Sequence, residues 1–350
     1  LFRSRCDIAR TMRGQLMRVL ALSIALICAI ALPVNAEQAL PTATSRTLPD
    51  VRPDIDLSGD ADSSTDALQP AEATGQHRVY ASLPPVFALG EQMLRGIEEF
   101  TPLQLVQPQL DCIKLYDMSD WDYIQLSNAE ICVIWGEGLE SFAGTLTSAE
   151  SGPAVITLAD APLEYAALDD ELTDYDYYEH YSGENPNSYL SMERLSAALD
   201  ALKESLCELY PAYAERFELN YVEARRLMDE ALGELAALRE SAPDALCAAL
   251  YEGAPYALDE LGMNWTIVYP REPASEVTGA DLDELLSLLS ESGAQIVVLE
   301  RQAPAELVDT LSAQGYDVRL ISTLMTLNEP TLDELLSAML TNARALCGVS

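Results

Sequence analysis

The run YAERFELNYVEARRLMDEALGEL, residues 213–235, sets Phe217, Tyr221, Ala224, Met228, Ala231 and Leu235 three and four positions apart, and Leu238 continues the series. That spacing puts them on one face of a helix, with charged residues over the rest of its surface. Pro211 suits a first helical turn, because its fixed backbone is already helical and its missing N–H has no partner to lose there. The pattern predicts one helix over 211–241, roughly 45 Å long at 1.5 Å per residue.

On both sides of this helix, short apolar runs alternate with amphipathic stretches. Upstream, VYASL (79–83), LQLVQ (103–107), ICVIW (131–135) and AVITL (154–158) read as strands. A helix bearing Phe87, Met93, Leu94 and Ile97 and another around Trp121–Leu126 lie between them. Downstream, TIVYP (266–270), QIVVLE (295–300) and DVRLIS (317–322) alternate with helices carrying Leu282, Leu285, Leu286 and Leu289, then Leu307 and Leu311. Thr331 and Glu334 are spaced as a capping box opening a last helix. Strands separated by helices imply parallel sheets with right-handed crossovers. The expected fold is therefore α/β: two lobes of parallel sheet with flanking helices, residues 78–210 and 242–350, joined by one long rigid helix with a cleft between them.

The N-terminal 36 residues have the composition of an export signal. Five arginines precede the uncharged run VLALSIALICAIAL (19–32), which is short of the roughly 20 residues a membrane span needs, and Val34-Asn35-Ala36 offers small residues for cleavage. Residues 37–77 hold four prolines and no aromatic residue, which predicts a disordered tether. The expected location is the periplasm or the extracellular face of the cell membrane.

The formal charge is −37, and the part after residue 36, with 15 basic against 56 acidic residues, carries −41. A surface of that sign repels nucleic acid and anionic lipid and gathers cations; no basic cluster offers a nucleic-acid footprint. Cys112, Cys132, Cys207, Cys247 and Cys347 make an odd set with no CxxC spacing, so their pairing is open and a structural zinc site is not indicated. Only two histidines occur. His77 closes the tether and is expected to face solvent, and His180 falls in the acidic stretch 163–184, so a histidine-dependent catalytic triad has no core imidazole to use. No enzyme is expected.

The order of these segments is similar to that in the substrate-binding proteins of zinc and manganese ABC importers. VYASLPPVFALGEQM (79–93) resembles that family's opening strand and helix. NAEICVIWGEGLESF (128–142) resembles its strand entering a Gly-x-Gly-Leu-Glu turn, and 213–235, with Asn220, its linker helix. YALDELGMNWTIVY (256–269) and the stretch 279–322 resemble its second lobe. The resemblance implies a monomeric receptor that captures zinc or manganese, or another divalent cation, and delivers it to a permease in the cytoplasmic membrane.

It also implies a site of three histidines and a carboxylate at strand ends in the cleft. Carried over position by position, those ligands fall on Ile113, Asn187, Tyr251 and Ser322, none of which is the expected residue. Asp111 and Cys112, just before Ile113, are alternative donors. The stretch 163–184 resembles a mobile acidic loop of several zinc receptors, and its carboxylates could gather a hard cation through oxygen, with Asp174, Asp176, Glu179, His180 and Glu184 the contributors. The replaced ligands equally allow a member that binds a non-metal ligand or serves as a regulatory or cell-adhesion surface protein.

Overall fold

Two four-stranded sheets, both entirely parallel, carry the two halves of the chain. The computed structural model describes residues 77–106, 116, 118–148, 152–159, 163–164, 184–271 and 274–349. The export signal, nearly all of the tether, Asp111, Cys112, Ile113 and the segment 165–183 lie outside the described residues.

The first sheet comprises β1 (His77–Ala81), β2 (Phe100–Gln104), β3 (Ile131–Gly136) and β4 (Ala154–Ala159), in spatial order β2-β1-β3-β4. Helices α1 (Pro84–Leu94), α2 (Asp120–Ser127) and α3 (Ala143–Ser148) connect the strands. A two-stranded antiparallel ribbon of β5 (Leu163–Glu164) and β6 (Glu184–Asn185) follows, then a 3-10 turn at Ser188–Leu190 and α4 (Met192–Leu209). After a second 3-10 turn at Pro211–Tyr213, the linker helix α5 runs over Ala214–Arg239. The second sheet holds β7 (Cys247–Tyr251), β8 (Trp265–Arg271), β9 (Ile296–Glu300) and β10 (Asp317–Ile321) in order β10-β9-β7-β8. Its helices are α6 (Ala254–Glu260), α7 (Ala280–Ser292), α8 (Ala305–Ala313) and α9 (Leu332–Cys347).

The expected stripe is the buried face of α5: Phe217, Ala224, Met228, Ala231 and Leu235 are buried, and Tyr221 and Leu238 pack at its edge. The helix is regular only from Ala214, so its 26 residues span about 39 Å. It is not the sole connection between the lobes. Helix α9 of the second lobe packs on α1 of the first, and both pack on α5. Helix α1 is accordingly apolar nearly all round, with every residue except Glu91 buried. One apolar cluster runs from Val79 through Met228 to Leu346, and a second, smaller one around Leu250, Leu285 and Leu311 backs the second sheet.

Two expectations need correction, and two elements and the state of the thiols are new. Strand β2 begins at Phe100, not at Leu103; it contains Pro102, tolerable because β2 is an edge strand. His77 does not close a solvated tether. It opens β1, its ring packs in tilted contact with Phe100 (centroids 4.7 Å apart) and Tyr210 (4.9 Å), and Nδ1 bonds the Glu130 carboxylate. Strand β7, CAALY, is the interior strand of the second sheet and was not anticipated, nor was helix α4. The cysteines Cys132, Cys207, Cys247 and Cys347 are free thiols; burial pushes Cys132 up to about 12 and Cys247 up to about 11, which makes both unreactive.

Candidate functional site

In both sheets the chain reverses its direction of strand addition next to the first strand, between β1 and β3 and again between β7 and β9. Crossovers leave to opposite faces at such a point, which opens a crevice at the carboxyl ends of the strands. Ser82, Glu137, Glu252 and Ser322 therefore follow the ends of β1, β3, β7 and β10, and Glu300 is the last residue of β9.

On the first lobe the crevice wall is built on two glutamates. Glu140 is 4% exposed and accepts from Ser82 Oγ (2.6 Å), Trp135 N (2.7 Å) and Gly136 N (3.0 Å). Burial pushes its carboxyl above the usual range despite these donors. The turn that swings Glu140 back needs left-handed backbone at Gly136 (φ 103°) and at Glu137 (φ 58°). A Cβ at Gly136 would collide with Ala159 O, so glycine is required there. The Glu137 side chain is fully enclosed; it accepts from Ser188 Oγ at 2.6 Å and pairs with Arg194 at 3.1 Å. Trp135 Nε1 donates to the same Ser188 hydroxyl at 2.9 Å.

The positions expected to bind a ligand are only partly brought together. Asn187 is buried, and its backbone N and Nδ2 both donate to Asn185 Oδ1 at 3.0 Å. Tyr251, also buried, has its hydroxyl 3.5 Å from that of Tyr189, two residues beyond Asn187. Ser322 sits in a separate arrangement: its N donates to Asn342 Oδ1 (2.7 Å), Asn342 Nδ2 donates to its carbonyl (2.9 Å), and its hydroxyl accepts from Leu324 N (3.1 Å). Glu184 lies in β6, paired with Glu164 of β5, so the ribbon brings together the two ends of the acidic segment. Asp174, Asp176, Glu179 and His180 fall within that segment, outside the described residues. Among the described residues no group of three His, Cys, Asp or Glu side chains is placed to hold a metal.

Three residues passed over in the sequence do much of the positioning. Asn185 Nδ2 donates to Glu252 O at 2.6 Å, and the Tyr256 hydroxyl donates to Asn185 O. Arg194, besides its pair with Glu137, stands 5.6 Å over the Tyr256 ring. Beside this contact a cavity of about 290 Å³ is lined by Ser191, Glu193, Arg194, Arg239, Tyr256, Asp259 and Glu260. The only sequence signal for the group is Asn185-Pro186, a dipeptide that fixes an extended turn.

The model of the zinc-uptake complex component A periplasmic family, ZnuA, matches residues 79–348. The chain belongs to the ZnuA family. No curated protein matches it. Among solved structures, Zn(II)-bound AdcA from Streptococcus pneumoniae superposes with a TM-score of 0.66 at 18% identity, covering 79% of this chain and 58% of that one. Its ZnuA-like domain alone gives 0.64 at 18%, covering 79% and 99%. A mutant of FpvC from Pseudomonas aeruginosa gives 0.64 at 19%, covering 77% and 98%. At these identities the likeness establishes the shared ZnuA-type fold of two parallel-sheet lobes with flanking helices.

Proposed function

We propose that the protein is the extracytoplasmic solute-binding receptor of an ABC importer, capturing a divalent cation and delivering it to a permease. The observation that carries this reading is the family match over residues 79–348, and the paired strand-end crevices are its structural support. Asn187, Tyr251 and Ser322 are neutral and already hydrogen-bonded, so they are weak partners for zinc. Donors would come from Asp111 and Cys112 and from Asp174, Asp176, Glu179, His180 and Glu184. A set dominated by carboxylate oxygens favours manganese or another hard cation, and a Cys112 thiolate would shift the preference to zinc. Binding and release, rather than catalysis, is the work of such a site, and a monomer suffices for it.

Metal content of the purified full chain, together with thermal unfolding under zinc, manganese and calcium, tests this. Stoichiometric binding is expected, with stabilisation of about 2.7 kcal/mol at a hundredfold excess over Kd. Replacing Cys112 or the 174–184 acids should abolish it. No binding at millimolar metal would overturn the reading in favour of a second one, an organic solute recognised by hydrogen bonds. The neutral, amide- and hydroxyl-lined surround of Asn187 and Tyr251 favours that alternative.

A further inference from the structure

The peptide from Asn185 to Glu193 is fastened to both lobes at once. Toward the first lobe, Ser188 is held by Trp135 Nε1 and by the enclosed Glu137 carboxylate, both at the end of β3. Toward the second lobe, Asn185 donates to the carbonyl of Glu252 and accepts at its own carbonyl from Tyr256. A few residues on, Ser191 Oγ (2.7 Å) and Glu193 N (2.8 Å) both donate to Glu260 at the end of α6. The same Asn185 side chain also fixes Asn187, at the position of a family ligand, by accepting from its N and Nδ2. Packing leaves no slack here: Gly253 lies so close to Leu190 that a side-chain carbon would collide with it.

We propose that direct hydrogen bonds centred on Asn185 clasp the two lobes, so that their hold on one another does not depend on a bound cation. Asn185 is a positioning residue: one amide holds the Asn187 turn through Oδ1 and the second lobe through Nδ2. Cargo then docks against lobes already fastened to one another and does not have to supply that link. This stands on the contacts alone and holds whether the solute is a cation or an organic molecule. A failure to bind metal would leave it untouched.

Hydrogen exchange of the backbone amides, measured on the full chain with EDTA and with manganese alone, distinguishes the cases. In the unsubstituted protein, residues 247–260 should exchange equally with chelator and with metal. Asn185→Ala should speed exchange across that segment roughly tenfold or more in both conditions, because local opening follows the lost contacts. Asn185→Asp keeps the acceptor for Asn187 and loses the donor to Glu252, so it should loosen 247–260 while the Asn187 amide stays protected. Should Asn185→Ala fail to fold, Tyr256→Phe removes one hydroxyl and should loosen the same segment to a smaller degree. Chelator loosening the unsubstituted protein as much as the substitutions do would identify a cation as the clasp and overturn the proposal. Substitutions that leave exchange at 247–260 unchanged would overturn it equally.

Discussion

At position 253 an added methyl group would force the buried side chains of Leu190 and Tyr251 to shift. The backbone there is ordinary for any residue (φ −77°), so glycine is needed for space and not for conformation. A Cβ would strike Leu190 Cδ1 and come within 2.9 Å of the Tyr251 ring. Gly253→Ala is therefore expected to destabilise the protein by about 1–3 kcal/mol, the usual cost of overpacking a tight contact. Denaturant unfolding of the variant checks this; a variant as stable as the parent would mean that the 188–190 and 251–254 loops are free to separate. Glu140 shows the opposite kind of constraint. It is a charged residue in a buried place, tolerated because Ser82, Trp135 and Gly136 all donate to it.

Among the elements, helix α9 shows the most complete local code. Thr331 and Glu334 form the reciprocal capping box, with Glu334 N donating to Thr331 Oγ1 at 3.2 Å and Thr331 N to Glu334 at 2.9 Å, and Gly348 closes the far end in the left-handed region. Thr331→Ala should cost about 1 kcal/mol, read as a lowered unfolding midpoint with an unchanged denaturant slope. Elements of this kind were legible from sequence because their signals are local: the capping box, the apolar stripe of α5, the continuous apolar runs of β3 and β9. Strand β7 was not legible. Its CAALY run is short and small, and it is fixed as an interior strand by pairing with β8 and β9 on either side. Pro102 likewise hid β2, since whether a proline is admissible depends on edge position, which only topology sets. His77 was misjudged because its partners Phe100, Glu130 and Tyr210 are distant in sequence. The site was less legible still. Asn187 and Tyr251 were singled out by resemblance alone, while Asn185 and Tyr256, which hydrogen-bond across the lobes, show their contact only across some seventy residues of sequence.

For the whole molecule, acidity is the dominant variable. Burial is the chief reason that the carboxyls of Glu140 and Glu260 lie above their ordinary value of 4.5. A folded-state value above the unfolded one means that protonation favours the fold. That contribution is complete below about 4.5 and is lost as pH rises through the folded-state value. Self-repulsion in a chain of net charge −37 acts in the same direction, since protonation relieves it. Glu223 and Glu334 are shifted downward, but they stand in open solvent where screening weakens their effect. The melting temperature should therefore rise as pH is lowered from neutrality toward about 5. Scanning calorimetry across that window checks it, and a steady fall would show that ion pairs such as Arg226 with Glu223 and Glu230 outweigh the buried acids.

The packing of α9 against α1 and α5 has a temporal side as well. A chain that emerges amino end first makes α1, with nearly every face apolar, well before its covering helix α9. Until the 16-residue helix α9 arrives, α1 and the inner stripe of α5 lack the lid it provides. The nascent protein thus carries exposed apolar surface from the synthesis of α1 until that of α9, the condition under which a holding chaperone has most to do.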